Sequence, residues 1–195
     1  AVAGTHGKTT TSTLAAWLNH AAAGEGSAFL GGISTNFASN LVLGEGRRLV
    51  VEADEYDRSF LRLWPDVAVI TATDADHLDI YGTAEAMVEA FEQFASQIKE
   101  GGSLILKQGV AFHFDTKGRN LYRYSCDAGG DFHAENIRLI EGGHYRYDIV
   151  LPDGRIEDCE LGILGKVHIE NSVAAVAMLW CAAKREGKAL DSVAV

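Results

Sequence analysis

The chain has 195 residues, 47% of them hydrophobic and 23% charged, which suits one globular domain and excludes a disordered, collagen-like or coiled-coil chain. Seventeen Lys and Arg against 27 Asp and Glu leave a net charge of −10, which argues against a general nucleic-acid binder but leaves room for a local anion site built from backbone N–H groups. No apolar run reaches the ~18 residues of a membrane span, no signal peptide opens the chain, and Cys126, Cys159 and Cys181 are too few and too scattered for a disulfide or zinc framework; the expectation is a cytoplasmic protein with reduced thiols and no membrane contact.

Ala1-Val2-Ala3 reads as the end of a strand, and Gly4 to Thr11 follows as a glycine-containing turn into a helix. Leu14, Trp17, Leu18 and Ala21 recur at helical spacing, so residues 9–23 are expected to be helical. Ala28-Phe29-Leu30 reads as a short strand ended by Gly31-Gly32, and the Gly/Ser/Asn-rich stretch 33–47 as an exposed loop. Leu49-Val50-Val51 and Val67 to Ile70 are continuous β-branched runs, as expected of parallel strands covered on both faces. Thr83 opens a helix that reaches about Ile98, with Met87, Phe91, Phe94 and Ala95 inward, and Ser103 to Leu106 is another buried strand.

In the second half, residues 121–125, 132–140, 144–151 and 155–161 alternate polar and apolar around turns at Gly142-Gly143 and Pro152-Asp153-Gly154, which predicts a small antiparallel region. Residues 167–186 form an Ala-rich helix, and 189–195 read as another helix beginning. The expected fold is α/β: a mainly parallel sheet of the phosphate-loop type flanked by helices, with that antiparallel region attached. Trp17, Trp64, Trp180 and the phenylalanines are expected in the core. Both ends read as those of a domain excised from a longer protein.

The chemistry concentrates where strands end. In Gly4-Thr5-His6-Gly7-Lys8-Thr9-Thr10, glycines let successive N–H groups converge on a phosphate, Lys8 adds a full charge, and Thr9 offers a hydroxyl to Mg²⁺. Val2 stands where the longer form of this motif has glycine. Past Val51 comes Glu52-Ala53-Asp54-Glu55-Tyr56-Asp57, and past Thr73 comes Asp74-Ala75-Asp76-His77-Leu78-Asp79; in a parallel sheet, both clusters fall where ligands bind. Glu52 is the candidate ligand of a first cation beside Thr9, and His77 is a candidate either to bind a second cation or to orient an anion; a bare strand-end carboxylate and a structural histidine are the alternatives. Asp54 is a candidate for bonding metal-bound water, and the remaining acids can equally form a solvated loop.

Four motifs in this order carry a resemblance: Gly4 to Thr11, Glu52 to Glu55, Asp76 to Asp79, and Gly165 to Asn171 ahead of the Ala-rich helix. Together they resemble the central ATPase domain of the Mur ligases over nearly the whole chain. The resemblance implies that residues 1–195 are the ATP-binding domain of a larger ligase whose UDP-binding and amino-acid-binding domains lie outside it. It also implies ATP and Mg²⁺ as cofactors. His6 and the Glu-Ala-Asp-Glu block are similar to those of the branch that joins UDP-N-acetylmuramate to L-alanine in peptidoglycan precursor synthesis; the tripeptide-recycling branch and a non-ligase nucleotide-binding module are the alternatives. In that family ATP phosphorylates the muramate carboxylate, and the amino group of L-alanine displaces phosphate. The implied roles are Gly4, Thr5, His6, Gly7, Lys8, Thr9 and Thr10 on the phosphates, Thr9 and Glu52 on the first Mg²⁺, His77 on the second, and Asn171 with His168 at the adenine. His168 stands where the family usually has Asn. Residues 83–98 also lack the lysine that several members carbamylate, which makes Glu92 a candidate for that charge.

Overall fold

The computed structural model describes residues 1–23, 26–74, 78–127 and 129–190. Strand β1 (Val2–Ala3) feeds the glycine turn and helix α1 (Lys8–Ala23). Strands β2 (Ser27–Ser34), β3 (Ser39–Val42) and β4 (Leu49–Val51) follow, then β5 (Val67–Ile70), the single helical turn α2 (Leu78–Tyr81), α3 (Ala84–Ser96) and β6 (Ser103–Lys107). The remainder is β7 (Asn120–Ser125), β8 (Phe132–Leu139), β9 (Tyr145–Leu151), β10 (Gly154–Leu161) and α4 (Val167–Arg185).

The main sheet runs β1-β5-β6-β7-β8-β9-β10. Its pairs from β1 to β8 are parallel, with Val2 beside Val69 and Val69 beside Ile105. Alternation along these strands sorts side chains to two cores. Val2, Val67, Val69 and Ile105 face α1 and α4, while Ala3, Ala68, Ile70, Leu104 and Leu106 face α3. Helices therefore cover both faces, which is why the strands read as unbroken apolar runs. Thr83 caps α3, its hydroxyl accepting the Ala86 N–H, and Met87, Phe91, Phe94 and Ala95 are buried as their spacing predicts.

The expected α/β architecture holds, with four corrections. First, residues 120–125 are not antiparallel: β7 runs parallel to β6, and only β8-β9-β10 form an antiparallel meander, continuous with the main sheet. Alternation reports that one face is covered; it carries no strand direction. Second, β2 does not stop at Gly31-Gly32 but continues to Ser34 and turns back as β3, so the segment read as a loop is largely a hairpin. Third, Leu49–Val51 belongs to a separate three-stranded sheet, β3-β2-β4, with β4 parallel to β2. That sheet leaves one face open, so Leu49 is 51% exposed and not covered on both sides. An isolated bridge from Val2 to Glu52, with the Ala53 N–H donating to the Val2 carbonyl at 2.8 Å, ties the two sheets together at the C-terminal end of β1. Fourth, Trp17, Trp64 and Phe29 are exposed. Trp17 packs edge-on to Phe37 at the protein's rim, whereas Trp180 lies in the core against Tyr122 and Phe132 and donates to Asp153. The helix expected from Ala189 onward falls largely in residues 191–195, outside the described residues.

A candidate phosphate-binding site

The turn after β1 is pinned to the end of β5. The Thr5 N–H donates to the Ala72 carbonyl at 3.1 Å, and Thr71 Oγ1 lies against the carbonyls of Ala3 and His6. Gly4 sits at φ +122° and packs so closely that a Cβ there would fall 2.3 Å from Thr71 Oγ1 and 2.8 Å from the Ala72 nitrogen. Gly7, at φ +80°, turns the chain into α1. Among the described residues, the backbone N–H groups of His6, Gly7, Lys8 and Thr9 meet no acceptor, and Thr5 Oγ1 is buried without a partner. Donors converging at a helix start form an anion cradle.

Glu52 lies beside it, placed by the end of β4. Its Oε1 accepts from Thr9 Oγ1 at 2.9 Å, and its Oε2 accepts from Ser12 Oγ at 3.1 Å and the Gly31 N–H at 2.8 Å. Gly31 is required for this: a Cβ would stand 2.3 Å from Glu52 Oε1. The glycine that reads as a strand terminator is thus a point of close approach inside a strand.

Glu55 is the residue that the solvated-loop reading missed. It is fully buried, and its Oε1 meets Lys8 Nζ at 2.7 Å. The Tyr81 hydroxyl donates to the Glu55 carbonyl at 2.6 Å; burial pushes the Tyr81 phenol above its ordinary pKa and keeps it a donor. No periodicity marks Glu55, and the available signal was only that a buried lysine needs a counterion. By contrast, Asp54 accepts the Tyr56 N–H, and Asp57 accepts from the Ser59 hydroxyl and the Ser59 N–H, the hydroxyl first among the bonds that hold the Asp57 carboxyl below its usual range; both acids shape the turn after β4.

The start of α4 closes the other side. Asn171 lies in its second turn and is buried, so it does not cap the helix. Thr11 Oγ1 donates to Asn171 Oδ1 at 3.4 Å, the Asn171 amide lies 3.4 Å from His168 Nδ1, and a Cβ on Gly7 would touch Asn171 Oδ1 at 2.9 Å. A bridge from Lys107 to Glu170 at 2.8 Å links the end of β6 to the same turn.

The arrangement brings together Gly4, Thr5, Gly7, Lys8, Thr9, Glu52 and Asn171, with His168 adjoining. Thr10 lies in the first turn of α1. His6 points outward, 70% exposed and 3.8 Å from Asp74. Asp76 and His77 lie outside the described residues. Glu92 accepts the His113 N–H at 2.7 Å. Among the described residues no group of three or more His, Cys, Asp or Glu could hold a metal, so the cation donors in view are the Thr9 hydroxyl and the Glu52 carboxylate. A cavity of about 920 Å³ lies elsewhere, between Leu49, Trp64 and Asp66 on one side and Met178 and Glu186 on the other, and includes no residue of the glycine turn.

A parallel sheet with a glycine turn, a lysine and a hydroxyl at the head of its first helix is the architecture of the phosphate-loop class of domains. A family model, Mur ligase middle domain, matches residues 2–179. The chain belongs to the Mur ligase family. It is 51% identical over 179 residues to the UDP-N-acetylmuramate–L-alanine ligase of Phocaeicola vulgatus, covering 91% of this chain and 39% of that protein. It is 51% identical over 181 residues to the same-named ligase of Parabacteroides distasonis, covering 92% and 39%. The crystal structure of the UDP-N-acetylmuramate-alanine ligase of Thermotoga maritima shares the fold, with a TM-score of 0.78 at 23% identity over 98% of this chain and 42% of that one. The chain thus spans about two-fifths of the length of the curated relatives it matches. Among the described residues no helix is long and apolar enough to cross a membrane.

Proposed function

We propose that residues 1–195 are the central ATP-binding domain of a cytoplasmic ligase that joins UDP-N-acetylmuramate to L-alanine, its UDP-binding and amino-acid-binding domains lying outside this chain. The observation that carries the reading is the convergence of Lys8, Thr9, Glu52 and Asn171 on one glycine turn. The shared name of the 51%-identical relatives favours L-alanine over a tripeptide as the amine.

In this reading the N–H groups of His6 to Thr9 and the Lys8 ammonium bind the β- and γ-phosphates, and Asn171 with His168 meets the adenine. Mg²⁺ demands hard oxygens and tolerates few protein ligands, which Thr9 Oγ1 and Glu52 Oε1, 2.9 Å apart, satisfy. When bound it offsets the charge of the transferring phosphoryl group. In this reading His77 would hold a second cation, whose charge would offset that of the substrate carboxylate. The γ-phosphoryl group passes to a muramate carboxylate oxygen as ADP leaves; the alanine amine then forms the C–N bond as phosphate leaves and an amine proton is lost. The protein supplies no nucleophile: its part is to hold charge and geometry.

The test is phosphate release by the full-length enzyme. The expected result is release that requires both UDP-N-acetylmuramate and L-alanine and falls at least about 100-fold in Lys8→Met, as for loss of an electrostatic contact to the reacting group. ATP hydrolysis indifferent to both substrates would instead mark a non-ligase nucleotide module, and a tripeptide requirement would mark the recycling activity.

A further inference from the structure

A lysine that meets phosphate from solution must first lose the conformational freedom of a four-carbon stem, which weakens the contact it makes. Lys8 has already lost it: its side chain is 14% exposed and its Nζ is held 2.7 Å from Glu55 Oε1. Glu55 is itself fixed, fully buried three residues past Glu52, with its carbonyl held by the Tyr81 hydroxyl. The Arg58 guanidinium covers the Tyr81 ring, 4.8 Å from its centroid, which adds a further packing contact to the anchor. An ammonium has three protons, so a bond to Glu55 leaves two for phosphate oxygens. Separating a buried ion pair is costly, so the pair persists as a polyphosphate arrives.

Resting on the nucleotide reading above, we infer that Glu55 is the positioning residue for Lys8, a buried carboxylate that sets the direction of the ammonium before nucleotide binds. Its effect is confined to ligands with a β-phosphate, because AMP offers Lys8 nothing to meet. A carboxylate that merely competed with phosphate for the ammonium would act in the opposite sense.

Equilibrium titration of the full-length protein with ATP, ADP and AMP at fixed Mg²⁺ tests this. Glu55→Gln is expected to weaken ATP and ADP about tenfold, leave AMP unchanged, and cost no further ATP affinity in a Lys8→Met background. Tyr81→Phe, which releases the Glu55 carbonyl, is expected to give a smaller loss of the same selectivity, about threefold, and serves if Glu55→Gln does not fold. Tighter or unchanged ATP binding in Glu55→Gln, an equal loss for AMP, or a full tenfold loss added in the Lys8→Met background would overturn the inference. A wild-type protein that binds no ATP would overturn the nucleotide reading itself, a separate outcome.

Discussion

The two ends of the main sheet treat charge in opposite ways. At the β1-β5 end, polar groups are buried and few: Glu55, Thr11, Ser12, Thr71 and Asn171 are all withdrawn from solvent around one turn. In the β8-β9-β10 meander, charges are many and mostly solvated, as in Arg146–Glu160 between the neighbouring strands β9 and β10 and Arg155–Glu135, which reaches from β10 across β9 to β8. The two outer meander strands also carry local irregularity: Asn136 on β8 and Asp158 on β10 adopt positive φ near register shifts, both bonded to Asp148 on β9. The difference teaches where a substitution is felt. Buried polar groups cannot be left alone without a large penalty, whereas exposed pairs exchange readily with water.

That contrast can be broken or sharpened by experiment. The largest expected effect is at Gly4. An alanine there meets both the φ of +122° and the Thr71–Ala72 contact, so Gly4→Ala is expected to cost about 3 kcal/mol or more in chemical denaturation. Next comes the Glu52 carboxylate: Glu52→Gln is expected to cut ligation by the full-length enzyme about 100-fold while leaving the melting temperature nearly unchanged. Gly31→Ala should copy that loss, because its Cβ would occupy the place of Glu52 Oε1.

A smaller effect is expected with acid. The Arg48 guanidinium bonds Glu186 at 2.8 and 2.9 Å and holds its carboxyl at about 2, from an ordinary 4.5. A carboxyl depressed in the folded state stabilises fully above its unfolded value and loses that contribution as pH falls from about 4.5 toward 2. The pair is partly exposed, so Arg48→Ala should lower stability by under about 1 kcal/mol at neutral pH, with the gap to wild type closing across that window in a melting series. The smallest effect belongs to the meander: Arg155→Ala should change stability by less than about 1 kcal/mol, and a larger loss would show that its ion pairs behave like those of the buried end.

Much of the architecture was legible before any coordinates. The unbroken runs at 67–70 and 103–106 announced covered parallel strands, and Thr83 with the inward stripe from Met87 to Ala95 announced α3. The partition into two sheets was not legible, because Leu49–Val51 has the same β-branched character whether one face or both are covered. The direction of β7 was not legible either, since alternation is identical in parallel and antiparallel strands.

The amino-acid sequence by itself determined the backbone of the glycine turn and the helix that bears Asn171. Those follow from local rules: which residues permit positive φ, and which spacings place side chains on one face. Tertiary structure alone decided that Glu55 is buried against a lysine 47 residues away, and that Gly31 is empty space for Glu52. Such contacts depend on where the chain returns through the fold, and no pattern of neighbours along it records that position.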